Sequence, residues 1–186
     1  MPFTPFHFGP GLLCKSLAPR RVSFTSFCAT QVAMDLEPLY FILHGEAAHA
    51  HRAVHTVLGG GVVGLAVGLA VWRLARSRSG NLGPVARIEV ARGPAIAGGL
   101  TGGTSHALLD GLMHLDMRPL RPFSEVQWVL RPPMVIYLYA GCLAAGVLGL
   151  IILMVRREPW SHAGTASVQA SRSRGSDRGG SNDRHS

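Results

Sequence analysis

Long apolar segments separated by short polar ones occupy the first 155 residues of the chain. The clearest is 134–155, which contains no charged residue and is bracketed by Arg131 and Arg156. A segment of this length can cross the hydrocarbon core of a bilayer. Four more apolar segments precede it: 6–18, 22–43, 54–72 and 94–113. The pattern predicts an all-α, multi-pass transmembrane bundle of four or five helices, in which the short segment 6–18 is tilted, half-inserted or re-entrant.

The overall composition supports a membrane protein. Of the 186 residues, 47% are hydrophobic and 15% are charged, and the mean hydropathy is positive, whereas a soluble domain is typically about one quarter charged. The formal net charge is +8, and many of the basic residues stand where an apolar segment ends. They do not form a basic stripe with interleaved aromatic residues, so we expect no nucleic-acid partner.

The composition changes sharply at 156. Residues 156–186 are rich in serine, glycine and arginine, which predicts a disordered cytoplasmic tail after a membrane-embedded domain of residues 1–155. The start of the chain lacks the basic residues and cleavage site of a signal peptide, so we expect it to be retained. The cysteines lie in apolar segments without a CxxC pair and are interpreted as small core residues: Cys14, Cys28 and Cys142.

The basic residues also predict the sidedness of the bundle, because cytoplasmic loops are enriched in arginine and lysine. Basic residues cluster at 15–21, at 73–92 and in the tail, so these regions are predicted to be cytoplasmic. The N-terminus and the loops at 44–53 and 114–133 then lie outside, although the second loop also carries arginines. The predicted orientation has the N-terminus outside and the C-terminus inside.

Metal-binding residue types fall on the outer side of this topology. The stretch SHALLDGLMHLD at 105–116 places His106, Asp110 and His114 four residues apart, and therefore on one face of a helix. Ionisable residues are costly inside a bilayer and usually face a cavity, a partner or a metal. We interpret the following as candidate ligands of one site: Asp35, His51, His55, His106 and Asp110. Glu37 or Asp116 is the candidate general base, or the carboxylate that orients an imidazole.

Imidazole and carboxylate ligands favour zinc, and also fit manganese or iron(II), while the absence of thiolates argues against copper(I) and iron–sulfur clusters. The supply of ligands exceeds that of one closed structural zinc site, which favours an open coordination position or more than one ion. The alternative is that the polar side chains form buried hydrogen-bonded pairs that hold the bundle together without an ion.

Four of these stretches resemble the LexA-regulated, YdjM-like family of membrane-bound predicted metal-dependent hydrolases, which is distantly similar to zinc-dependent phospholipase C. The resemblance covers about residues 1–125 and rests on TPFHFGPGLL, QVAMDLEPLYF, HRAVHT and SHALLDGLMHLDMRPLRPFS. The family has an early histidine, an acidic DLD-like pair, an HRxxTH-like motif and an SHxxLD helix that leads to a WPF-like turn. In this chain Glu37 stands where aspartate is usual, and RPF at 121–123 replaces WPF.

The resemblance implies a hydrolase of the bacterial inner membrane and assigns its site residues by position. The early histidine is matched by His7, the acidic pair by Asp35 and Glu37, the HR motif by His51 and His55, and the SHxxLD pair by His106 and Asp110. The additional His114 and Asp116 either add ligands or cap the helix.

Three functions are compatible with these residues. The first is a hydrolase in which metal-activated water attacks an ester or phosphodiester of a lipid-like substrate near the outer membrane face. The second is a small metal-ion or proton-coupled transporter, which requires polar residues through both halves of the bilayer. Gln31 is one of few such residues in the predicted cytoplasmic halves. The third is a non-catalytic scaffold with a structural polar cluster.

Overall fold

All of the regular secondary structure in the described residues is helical, as the apolar pattern predicts. The computed structural model describes residues 5–45, 54–77, 83–115 and 117–176. A short 3₁₀ turn at Pro5–His7 is followed by helices α1 (Phe8–Leu17), α2 (Phe24–Leu43), α3 (Val57–Ser77), α4 (Pro84–Glu89), α5 (Arg92–Met113) and α6 (Pro132–Ser176). The five predicted segments correspond to α1, α2, α3, α5 and α6. Helix α4 is not predicted, because its six residues are too few to show a helical period.

Helix α5 lies at the centre of the bundle, and glycines allow α3 to approach it closely. A Cβ atom added to Gly64 would overlap the carbonyl oxygen of Gly99, and one added to Gly60 would overlap that of Gly103. The glycines on each helix are four residues apart, which is the small-xxx-small pattern of closely packed membrane helices. The pairing of later residues on α3 with earlier ones on α5 makes the two helices antiparallel.

Helix α2 packs on a second face of α5 and runs parallel to it. A Cβ atom on Gly98 would overlap the backbone of Ser23, and one on Gly102 would lie 2.9 Å from the carbonyl oxygen of Phe27. The hydroxyl of Ser23 caps α2 by accepting a hydrogen bond from the backbone N–H of Ser26 at 3.1 Å. The C-terminal halves of α2 and α5 therefore lie at the same end of the bundle.

Helix α1 is short and packs against both α2 and α6. Gly11 lies against the ring of Phe27, and Gly9 lies against the backbone of Cys142 on α6. The rings of Phe6 and Tyr139 contact each other with centroids 4.8 Å apart. These contacts place the N-terminal end of α1, and with it His7, beside the C-terminal half of α5.

At the opposite end of the bundle, Glu89 of α4 joins three segments. Its Oε1 atom accepts hydrogen bonds from the backbone N–H groups of Phe24 at 2.6 Å and Thr25 at 3.2 Å, at the positive end of the α2 dipole. Its Oε2 atom forms an ion pair with Lys15 at the end of α1. This carboxylate, at the end of α4, connects the start of α2 to the end of α1 and fixes that end of the bundle.

Two of the helices are long and apolar enough to cross a membrane, namely α3 (Val57–Ser77) and the Pro133–Arg156 part of α6. They suggest a membrane protein. The sequence predicts four or five membrane helices, but α2 and α5 are less apolar than α3. Helix α2 contains Gln31, Asp35 and Glu37, and α5 is rich in glycine.

The chain divides into two units, residues 1–150 and 151–186. The second unit contains the C-terminal part of α6, which continues as helix to Ser176. The disordered tail predicted from 156 stays a prediction. Extending an existing helix avoids the cost of nucleation. The prediction for the residues beyond Ser176 lies outside the described part of the chain.

The glycine contact between α3 and α5 predicts opposite effects for two neighbouring substitutions. Gly64→Ala is expected to lower the free energy of unfolding by about 1–3 kcal/mol, because its Cβ atom forces the helices apart. Gly61→Ala, whose Cβ would meet only Thr104 Cγ2 at 3.9 Å, is expected to leave it unchanged or raise it by up to about 1 kcal/mol. Denaturant unfolding in detergent, followed by circular dichroism, measures both. Equal effects at the two positions would contradict the packing described above.

Candidate metal centre

Five buried histidine and aspartate side chains from separate segments meet at one end of the bundle. The five are His7 before α1, Asp35 on α2, His55 before α3, and His106 and Asp110 on α5. Each residue is at most 8% exposed. Their ligand atoms form two groups that share His106, and within each group the atoms lie within 4.8 Å of one another: His7, His106 and Asp110, and Asp35, His55 and His106.

The Nε2 atom of His106 is the centre of this cluster. It lies 3.2 Å from Asp110 Oδ2 and 3.5 Å from Asp35 Oδ1. The other oxygen of Asp110, Oδ1, lies 3.4 Å from the Nε2 atom of His7. Neither of these two Nε2 atoms makes a hydrogen bond within the described residues. Around a tetrahedral zinc, bond lengths of about 2.0–2.1 Å place neighbouring ligand atoms about 3.3–3.4 Å apart. The residues could therefore hold a metal ion.

The other nitrogen of His106 is held by Gln31. The Nδ1 atom donates to the Oε1 atom of Gln31 at 2.6 Å, and the amide group of Gln31 donates to the carbonyl oxygen of Gly102 at 3.2 Å. The second hydrogen bond fixes the orientation of the amide, so its oxygen faces the histidine. The proton of the neutral imidazole therefore resides on Nδ1, and Nε2 presents its lone pair to the two carboxylates.

His55 is oriented in the same way by a carboxylate. Its Nδ1 atom lies 3.0 Å from the Oε2 atom of Glu37, which accepts the Nδ1–H hydrogen bond. A carboxylate–histidine pair of this kind is the usual support of a zinc-binding imidazole. The side chain of Glu37 is 20% exposed, so it is more accessible than the carboxylates of Asp35 and Asp110. Glu37 is therefore the carboxylate of this group that lies nearest to the surface.

Local structure explains how His55 reaches the cluster. The hydroxyl of Thr56 accepts a hydrogen bond from the backbone N–H of Gly59 at 2.9 Å and caps α3. The backbone N–H of Val57, the residue after Thr56, donates to the carbonyl oxygen of Pro119 at 2.8 Å. Pro119 in turn lies against Gly111, one residue after Asp110. The start of α3 is thus attached to the loop that follows α5, and His55 is held between them.

The structure brings together most of the residues that the sequence singles out. His7, Asp35, His55, His106 and Asp110 converge, and Glu37 lies beside them. His114 is the C-cap residue of α5, where its backbone N–H donates to the carbonyl oxygen of Asp110, and it belongs to neither ligand group of the described residues. His51 and Asp116 lie outside the described residues.

Gln31 is the site residue that the sequence interpretation missed. The sequence places it in a cytoplasmic half of the bundle, whereas its side chain contacts His106. A signal was present, because Gln31 is an amide within an apolar segment and lies four residues before Asp35, on the same helix face.

No family model, curated protein or solved structure matches this chain. The resemblance to YdjM-like proteins stays a prediction, and the function has to be argued from the geometry of the cluster.

Removal of a bound metal is expected to destabilise the protein, because Asp35 and Asp110 would lose a neighbouring cation. An ion present at about 100 times its dissociation constant stabilises by about 2.7 kcal/mol. In a chain of this size that free energy corresponds to a change in Tm of about 5–10 °C. We expect a chelator to lower the Tm of detergent-purified protein by this amount, as measured by differential scanning fluorimetry.

Two variants control this experiment. Asp110→Asn is expected to show little response to the chelator, since it lacks one of the central carboxylates. Glu125→Gln, at an exposed position in the loop after α5, is expected to respond like the wild type. A wild-type Tm that does not change when metal is added or chelated would show that the cluster is held together by hydrogen bonds alone.

Proposed function

We propose that the protein is a membrane-bound, metal-dependent hydrolase that cleaves an ester or phosphodiester of a lipid-like substrate. The observation that carries the proposal is the convergence of three imidazoles and two carboxylates in a buried cluster. Two of the imidazoles are oriented by further hydrogen bonds. A purely structural cluster has no need of unbonded Nε2 atoms that face carboxylates.

The proposed location is the bacterial inner membrane, with α1, α2, α3, α5 and the Pro133–Arg156 part of α6 inserted. The distribution of side chains supports insertion. Large apolar residues are exposed along these helices, whereas the buried residues are mainly glycine, serine, threonine and the polar cluster. We assign the cluster to the outer face and the C-terminus to the cytoplasm, because the basic regions at 15–21 and 73–92 lie at the other end.

Zinc is the metal we propose, with manganese or iron(II) as alternatives for the same nitrogen and oxygen donors. A divalent cation bound there supplies Lewis acidity and a means of activating water near neutral pH. His106 and Asp110 would hold it from α5, with Asp35, His55 and His7 completing the set. The set contains more donors than a tetrahedral ion uses, so one or more of them can stay available to the substrate.

The other residues of the site have supporting roles in this proposal. Gln31 and Glu37 keep the protons of His106 and His55 on Nδ1, away from the ligand atoms. The packing of α2, α3 and α5 excludes water from the inner side of the cluster. Glu37 is the most accessible of these carboxylates. Asp116 stays a predicted general base, and Glu37 an alternative one.

A transporter is the second candidate, and one observation favours it. Buried polar side chains continue along α2 from the cluster toward the opposite end of the bundle: Gln31, Thr30, Ser26 and Ser23. Thr30 donates to the carbonyl oxygen of Ser26, one turn earlier in the same helix, which is a common use of hydroxyl groups inside helices. Uptake of zinc by proteoliposomes, without hydrolysis of their lipids, would favour this candidate over the hydrolase.

The hydrolase proposal predicts that metal content and hydrolysis are lost together. Purified wild-type protein is expected to contain near-stoichiometric metal by mass spectrometry and to cleave phospholipids in mixed micelles. His55→Ala and Asp110→Ala are expected to lose both properties, because they remove ligands carried by two different segments. His44→Ala alters an exposed histidine at the end of α2 and is the matched control that keeps both. Wild-type protein without metal would contradict the proposal.

The role of Glu37 can be separated from that of a general base. If Glu37 orients His55, Glu37→Gln is expected to weaken metal affinity about 10- to 100-fold. Hydrolysis should then recover when the metal concentration is raised. Loss of a general base would instead lower kcat by about 10²- to 10⁴-fold at saturating metal. Metal titration followed by the hydrolysis assay distinguishes the two results, with His44→Ala as the control.

A further inference from the structure

A groove on the surface of the bundle begins next to the polar cluster and runs along α3. It has a volume of about 500 Å³ and lies between α3, α5 and the loop at 119–124. This volume is within the usual range of ligand-binding sites, about 300–1,000 Å³. The apolar side chains that line it include Val57, Leu58, Val62, Leu65, Leu100 and Phe123.

One end of the groove lies near the candidate metal centre, although its lining residues do not include the cluster itself. Val57 and Pro119 line the end of the groove at the start of α3, and a backbone hydrogen bond of 2.8 Å joins them. His55 lies two residues before Val57, and Pro119 packs on Gly111, next to Asp110. From Val57 to Leu65 the groove follows α3 for about 12 Å, at about 1.5 Å per residue. A molecule lying in it would have one end beside the segments that carry His55 and Asp110, and the other end along α3.

The end of the groove near the metal centre carries a positive charge. Arg121 and Ser124 line it there, and both Arg121 and Arg118 bond to the carboxylate of Glu125. Hydrogen bonds from Arg121, and then from Arg118, hold the pKa of Glu125 below its ordinary value. Two guanidinium groups and one carboxylate leave one net positive charge. An apolar groove with a cationic end is complementary to an acyl chain attached to an anionic headgroup.

Gly61 keeps the groove open. It lines the groove, and a Cβ atom built on it would meet nothing closer than Thr104 Cγ2 at 3.9 Å. Its neighbours Gly60 and Gly64 differ, because a Cβ atom on either would overlap the backbone of α5. Gly60 and Gly64 thus serve the contact between helices, while the missing side chain of Gly61 leaves space on the surface.

We propose that this groove binds one acyl chain of an anionic phospholipid, with the lipid phosphate beside Arg121. The inference rests on the proposed function in assigning that lipid as the substrate, because the bound chain would place its headgroup near the segments that carry the metal centre. Binding itself needs no metal and can be measured separately.

Native mass spectrometry of the detergent-solubilised protein tests the inference, with dioleoyl phosphatidylglycerol and dioleoyl phosphatidylcholine as probes. We expect the wild type to bind one phosphatidylglycerol more tightly than phosphatidylcholine, by roughly fivefold, the size of one exposed charge contact. Arg121→Gln is expected to abolish this preference but to keep binding of phosphatidylcholine. Equal affinity of the wild type for the two lipids would overturn the assignment of Arg121.

Filling the groove tests the position of the acyl chain. Gly61→Leu is expected to reduce binding of both lipids at least tenfold, because its side chain occupies the groove. Ala70→Leu is the matched control, since it adds a leucine at an exposed position on the opposite side of α3. Val62→Glu is a second probe at an exposed groove position that leaves the α3–α5 contact intact. Unchanged lipid binding in Gly61→Leu and Val62→Glu would overturn the inference.

Metal content separates failure of this inference from failure of the proposed function. Metal-free wild-type protein that still binds lipid in the groove would contradict the hydrolase and leave the groove assignment supported. Gly61→Leu that retains metal and loses lipid supports the groove, and also shows that the variant is folded. If the wild type and the groove variants all contain metal and bind lipid equally, the assignment of the groove is overturned and the hydrolase proposal is not.

Discussion

The close approach of α3 to α5 is the contact on which the rest of the structure depends. Glycines at four-residue intervals on both helices let the backbones touch, as at Gly64 and Gly99. Such an approach gains dispersion energy along the full contact and does not rely on water to drive it, which suits an apolar solvent. It also determines where α3 begins relative to α5. His55 therefore reaches His106 because of residues two to four turns away from either.

The same helix packing explains how an apolar chain tolerates a buried polar cluster. Much of the interior of the bundle is built from backbone and small side chains, with Phe27, Met34 and Met117 as the large buried residues. The surrounding polar groups come from the same helices, as with the amide of Gln31 and the carbonyl oxygen of Gly102. Large apolar residues are placed outside, where Leu58, Val62 and Leu65 are exposed. These exposed apolar side chains, together with the two long apolar helices, suggest a bilayer as the surrounding.

The sequence predicts much of the fold and of the cluster, and the reasons for its failures are physical. Apolar runs identify α1, α2, α3, α5 and α6 because the length of each run and the polar residues at its ends are local features of the sequence. The spacing of His106 and Asp110 identifies one side of the site because helical geometry is local. The role of Gln31 depends on the rotation of α2 against α5, which no spacing within one helix records. Helix α4 and the bond of Glu89 to the start of α2 depend likewise on contacts between distant segments.

The orientation of the histidines is the strongest reason to favour a metal centre over a structural cluster. Hydrogen-bonded pairs that only stabilise a bundle would pair the nitrogens that face the carboxylates. In this protein Glu37 and Gln31 bond to the Nδ1 atoms of His55 and His106, and the Nε2 atom of His106 faces Asp35 and Asp110. Glu37 and Gln31 belong to α2, which carries Asp35 as well. One helix thus supplies a ligand and the two groups that orient its neighbours, so movement of α2 would disturb all three together. A metal bound at this position would couple the packing of α2 to the integrity of the site, which a set of independent polar pairs would not.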